Sequence, residues 1–275
     1  MIKTALYSFW SKPFLAKSEF KTFGEFNTKE DFLLSWNVSV KLARRHFTKV
    51  ILVTDKWAWK NLFEPLNLPI DEVKIVLDDL NYTTDMWSTG KAYAIMEMNE
   101  PFVHLDPDVY LWGPLSDEIL GAKVFAQSRE GKWDEYQNQL YSKRSDDYHR
   151  NFEGACKYFD NFRAENLEHL AYNTGVVGGN DLEFLKKWAQ NMIDLVNLYD
   201  KKIQANQFVG ERYLAVVWIE QSLLRAMEIV EGYQIKVVLE DPNIEQDLYT
   251  HLCGGSKKKE EYMESLRIVN NQMLK

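Results

Sequence analysis

The order of apolar and polar positions in the first part of the chain predicts strands and helices in turn. Lys3–Phe9 is a short apolar run, and Thr28-Lys29-Glu30-Asp31 has the form of an N-terminal cap before the amphipathic stretch Phe32–Phe47. Lys49–Thr54 (KVILVT) reads as a buried strand, Trp57–Leu66 as a short helix and Val73–Leu77 as a further strand. Thr89–Met98 has a helical pattern, and Phe102–Leu105 is a strand leading straight into Asp106. Such alternation predicts βαβ units and an α/β fold with a mainly parallel sheet flanked by helices.

The rest of the chain is less regular. Strands are predicted at Lys123–Gln127, Tyr172–Val177 and Ile235–Leu239, and helices at Asp181–Tyr199 and Glu211–Val230. A charged amphipathic helix is expected after Lys257, while Gly131–Asn166 shows no clear period. No repeat or linker divides the chain, so one domain spanning 1–275 is expected.

Composition narrows the choice of chemistry. With 45% hydrophobic and 27% charged residues over 275 positions, the chain is an ordinary globular one. A net charge of −8 argues against nucleic acid or an anionic membrane surface as main partner. Two cysteines, Cys156 and Cys253, in unlike contexts form neither a disulfide framework nor a zinc spacing. No apolar run reaches membrane-spanning length and the first residues lack a secretory apolar stretch, so a cytoplasmic protein without an integral membrane segment is expected.

Four segments carry candidate chemistry. Asp106-Pro107-Asp108 follows a buried strand, where loops of an α/β sheet aim groups into a crevice, and hard divalent cations take oxygen ligands. The alternative is a turn or cap aspartate beside an exposed one. Tyr172–Asp181 places Gly175 inside a strand, which marks either close approach of backbone or ligand or a β-bulge followed by a Gly-Gly turn and a cap; the segment alone favours the bulge. Glu220-Gln221 interrupts an apolar helix, facing either solvent or a pocket. His251-Leu252-Cys253-Gly254-Gly255-Ser256-Lys257 offers an imidazole for a metal and a glycine-flanked lysine for a phosphate. His46, His104, His149 and His169 read as ordinary residues, and Lys91, on local grounds, as a solvated helix lysine.

In series, these segments resemble the motifs of GT-A fold glycosyltransferases, most closely the retaining family that includes glycogenin and bacterial lipopolysaccharide galactosyltransferases. That family runs Asp-x-Asp, Asn-[Ala/Ser]-Gly-Val, Asp-Gln and His-x-x-Gly-x-x-Lys. Here the counterparts are Asp106-Pro107-Asp108, Asn173-Thr174-Gly175-Val176, Glu220-Gln221 and His251-x-x-Gly254-x-x-Lys257. Thr174 and Glu220 depart from the family residues, and Lys258-Lys259 stand where Pro-Trp often follows.

The resemblance implies a nucleotide-sugar-binding half over about 1–112 and an acceptor-side half over about 113–275. It implies Mn²⁺ or Mg²⁺ on Asp106, Asp108 and His251, bridging the phosphates of a nucleoside-diphosphate sugar, with Gly254 and Lys257 at the departing diphosphate. Lys91, Asn173 and Glu220 would hold donor-sugar hydroxyls, and Gln221 would lie near the anomeric carbon. Tyr7 is a candidate to stack on the base or a packed core tyrosine. The acceptor would be a saccharide or a lipid-linked carbohydrate. A nucleotidyltransferase and a non-catalytic nucleotide- or carbohydrate-binding protein are the competing classes; no Gly-x-x-x-x-Gly-Lys-[Ser/Thr] or Gly-x-Gly-x-x-Gly follows the first strand, which counts against the former.

Overall fold

The computed structural model describes residues 1–15, 26–131, 145–161, 169–208, 210, 212–240, 248–252 and 254–273. Cys253 lies outside them, as do 132–144 and 162–168 of the stretch without a clear period. Cys156 is buried and free.

A seven-stranded sheet runs through the protein in the order β3-β2-β1-β4-β7-β6-β8. The strands are β1 (Thr4–Phe9), β2 (Lys49–Thr54), β3 (Glu72–Ile75), β4 (Phe102–Leu105), β6 (Phe125–Gly131), β7 (His169–Gly179) and β8 (Lys236–Leu239). Strands β1 to β4 pair in parallel, as does β8 with β6, and β7 runs against both its neighbours. The architecture is thus α/β with a mostly parallel central sheet, compatible with a Rossmann-like fold. The reversed β7 was not legible in the pattern.

Alternation along the strands builds two cores, one on each face. Leu6, Ile51, Val53 and Val177 point to the face covered by α2 (Thr89–Met96), α3 (Leu182–Gln204) and α4 (Arg212–Glu231). Ala5, Tyr7, Val50, Leu52 and Val176 point to the other, covered by α1 (Lys29–His46) and α5 (Glu260–Met273). The predicted cap of α1 forms, with the Asp31 amide donating to Thr28 Oγ1 at 3.0 Å. Segment 56–66 is helical as expected, but as short α, π and 3₁₀ turns in succession.

A separate two-stranded ribbon, β5 (Val109–Leu111) with β9 (Tyr249–His251), was not foreseen. It pairs Val109 with His251. The Gly178-Gly179 pair is not a turn: it ends β7, and a Cβ on Gly178 would stand 2.1 Å from the Phe102 carbonyl oxygen. Glycine is required there by the closeness of β4.

Candidate metal centre

The centre lies beyond the carboxyl end of β4, where an α/β sheet offers its crevice. The loop after β4 is held from below by two serines on the buried face of α1. Ser35 Oγ donates to the Pro107 carbonyl at 2.8 Å and Ser39 Oγ to the Val109 carbonyl at 2.7 Å. Each hydroxyl has one proton to give, so the phenols of Tyr110 and Tyr7 donate to Ser35 and Ser39, at 2.7 and 3.0 Å. Tyr7 is therefore the packed core tyrosine, fully buried against Trp36, with no face left for a base. Burial pushes its phenol well above its ordinary pKa, although the Ser39 bond opposes this. The pair Ser35 and Ser39, four residues apart on an apolar helix face, was the signal the sequence reading passed over.

The ribbon closes the centre from the other side. The Leu252 amide donates to the Asp108 carbonyl at 3.0 Å, which brings His251 beside Asp108 across 143 positions of chain (251 minus 108). One ligand atom from each of Asp106, Asp108 and His251 lies within 4.8 Å of the others. Behind them, α5 is tied to α1 by Arg267 on Asp31 at 2.8 Å and by Asn37 on Asn270 at 2.6 Å.

The three residues fit a metal by chemistry as well as by distance. His251 Nδ1 lies 2.9 Å from Gln127 Oε1, an acceptor, so Nδ1 donates to it and Nε2 is the ring atom turned to Asp108 Oδ1, at 3.5 Å, and the one that would ligate. An imidazole oriented from behind by a hydrogen-bond acceptor is the usual arrangement of a ligating histidine. This is achieved by the bulge in β7. Its register against β6 slips between Ala126 and Ser128, Gln127 standing opposite the interval between Asn173 and Val177. The Asn173 side chain accepts from the Gly175 amide at 3.0 Å, and the Gly175 carbonyl accepts from the Asp106 amide at 2.8 Å. A Cβ on Gly175 would stand 2.4 Å from His251 Cε1 and 2.8 Å from Gln127 Oε1, so only glycine lets the imidazole in. The bulge and the close approach, alternatives in the sequence, are one device. Asp181 also caps α3, accepting from the Phe184 amide at 3.0 Å.

Two lysines complete the electrostatics. Lys91 is buried rather than solvated, contrary to its local reading, because the first turn of α2 lies at this end of the sheet. Its three N–H groups are matched by three acceptors: Glu220 Oε1 at 2.7 Å, Asp106 Oδ1 at 3.0 Å and the Thr174 carbonyl at 3.0 Å. Burial alone would favour neutral Lys91, but Asp106 and Glu220 outweigh it and raise its pKa. Glu220 also accepts from the Thr174 hydroxyl. Lys91 as it stands thus positions Asp106 and Glu220 instead of presenting a free donor to a sugar hydroxyl.

Lys257, on the 3₁₀ turn Gly254–Lys258, lies 2.7 Å from Asp108 Oδ2. Burial would raise the Asp108 pKa, but Lys257 and His251 outweigh it and hold the carboxyl far below its usual range. Asp106 shifts the other way, raised by burial against the pull of Lys91. His104 is a core residue beneath Asp106, its Nε2 on Ser8 Oγ at 2.9 Å; burial, assisted by Lys91, keeps it neutral. Gln221 follows Glu220 on α4 and is half-buried.

Replacing Gln127 is expected to change metal affinity while leaving the fold alone. Gln127→Leu removes the acceptor behind His251 and should weaken Mn²⁺ binding by about 10- to 100-fold, whereas Gln127→Glu should retain it. Calorimetric titration with Mn²⁺, beside melting curves, measures both.

Among the described residues no helix is long and apolar enough to cross a membrane. No curated protein matches the chain. A model of a family of unknown function, DUF6734, matches residues 4–272, and the chain belongs to that family.

Proposed function

We propose that the protein is a metal-dependent glycosyltransferase of GT-A type, moving a sugar from a nucleoside-diphosphate sugar, a UDP-sugar by preference, to a saccharide or lipid-linked acceptor. One observation carries this reading: two aspartates at a strand end and a histidine from a distant ribbon converge within 4.8 Å, with Lys257 against them. Oxygen, oxygen and imidazole nitrogen are donors that suit Mn²⁺ or Mg²⁺.

A divalent cation on these three residues would supply Lewis-acid stabilisation of the diphosphate, where negative charge develops as the glycosidic bond breaks. The remaining work falls to the chain. Lys257 has the charge and place to meet the departing phosphate oxygens. Lys91 and Glu220 fix Asp106 and Thr174 to one another, which holds the donor side rigid. Gln221 and Asn173 offer amides to the sugar. In the transfer, the anomeric carbon gives up its bond to diphosphate oxygen and takes one to an acceptor hydroxyl, whose proton passes to the departing diphosphate.

A thermal-shift panel of nucleotide sugars, with and without Mn²⁺, tests the reading. The matching donor with Mn²⁺ should stabilise the protein by about 2.7 kcal/mol at a hundred times its Kd, and much less without metal. No shift with any donor would turn the assignment away from nucleotide sugars.

A further inference from the structure

Both aspartates of the centre already have counter-ions within the protein. Asp106 and Asp108 each give one oxygen to an ammonium group, Lys91 at 3.0 Å and Lys257 at 2.7 Å. The two pairs are built differently. Lys91 is buried in the sheet-side layer with every donor matched, so it is part of the scaffold. Lys257 rides on a short 3₁₀ turn, is partly exposed, and approaches Asp108 from the side opposite His251: Oδ2 takes the ammonium while Oδ1 faces the imidazole.

We propose that Lys257 is a built-in stand-in for the cation, which keeps bare metal affinity low and couples metal to the diphosphate. The inference rests on the metal reading of Asp106, Asp108 and His251. Its physics is charge counting. Among the described residues, three carboxylates (Asp106, Asp108, Glu220) face two ammonium groups, and each aspartate already has one of them as a neighbour. A divalent cation entering alone must share Asp108 with an ammonium of like sign and adds two positive charges beside it, which is unfavourable in a partly buried site. A diphosphate removes the conflict, because its oxygens take over Lys257 and neutralise the excess. Metal and diphosphate then raise each other's affinity by the same factor, as linkage requires. A free cation is bound poorly, and a cation arriving with a nucleoside diphosphate is bound well.

The test is a set of Mn²⁺ and UDP titrations of the full chain as wild type, Lys257→Met and Lys257→Arg, by calorimetry and by electron paramagnetic resonance of free Mn²⁺. Lys257→Met should bind Mn²⁺ alone about tenfold more tightly or better, and should bind UDP at saturating Mn²⁺ about tenfold less tightly. Lys257→Arg keeps the charge and should follow the wild type in both. The opposite signs are the signature, since a lysine needed only for local structure would weaken both ligands. If wild type binds Mn²⁺ but Lys257→Met binds it no more tightly, the stand-in role is overturned while the metal site survives. If no form takes up Mn²⁺, the metal reading itself is lost, and the stand-in role with it.

Discussion

Asp108→Asn is expected to abolish Mn²⁺-dependent donor binding and transfer while the chain stays folded. Asparagine has the same shape, and the contact that anchors this residue to the ribbon uses the main-chain carbonyl of position 108, which the substitution leaves in place. What disappears is charge. Loss of a group behind a ligand already costs about 10- to 100-fold in metal affinity, so loss of a ligand's charge should exceed the upper figure. Stability should fall as well. The Asp108 carboxyl is held below its ordinary range by Lys257 and His251, so it contributes stability that is present above the unfolded-state value near pH 4 and is lost as pH falls through the lower folded-state value. The variant lacks this at neutral pH and leaves Lys257 facing a neutral amide, a deficit of about 1.5–3 kcal/mol for one charged hydrogen bond. Mn²⁺ titration, donor-consumption assays and melting curves at pH 7 separate the two effects. Full activity in the variant would remove Asp108 from the metal site.

Much of the scaffold was written in local pattern. The strand KVILVT coincides with β2, and the run before Asp106 with β4, because a strand buried on both faces needs uninterrupted apolar residues. The Asp106-x-Asp108 and His251 pairing was reachable only through motif order, since residues this far apart carry no local mark of meeting. The ribbon that joins them is three residues on each side, too short for a period to show. Lys91 was misread for a related reason: its helix turn looks solvated in sequence, and only the sheet beneath it supplies Asp106 and Glu220. Gln127 left no trace because its role depends on the β7 bulge, and a bulge is a matter of register between strands. Tyr7 shows the converse. An aromatic at a strand end looks like a stacking surface until the serines of α1 claim its hydroxyl and the core claims its ring. Charge and hydrogen-bond networks assembled from elements far apart in the chain are thus where single-sequence reasoning ends.

Lys91→Met should be the most damaging single change to the fold among the polar residues of this centre. It leaves Glu220 and Asp106 facing each other and the Thr174 carbonyl without their shared cation. Breaking a buried pair by removing one partner costs about 3–5 kcal/mol, which for a chain of this size is roughly ten degrees in Tm. The sign of the pH dependence follows from Asp106. Burial already raises its carboxyl above the ordinary value, with Lys91 as the main opposing influence. Without Lys91 it rises further, so the folded state holds the proton more tightly than the unfolded one. A carboxyl raised in this way lowers stability above its folded-state pKa, and the loss shrinks as pH falls through that value. The deficit of Lys91→Met relative to wild type should therefore be larger at pH 8 than at pH 5. Urea denaturation of both proteins at the two pH values reads this directly. The double variant Lys91→Met with Glu220→Gln should recover a good part of the lost stability, because it removes one stranded charge together with its partner, and the recovery measures the coupling between the two side chains. A deficit equal at both pH values, with no recovery in the double variant, would assign the loss to altered packing around α2 instead of to the stranded carboxylates.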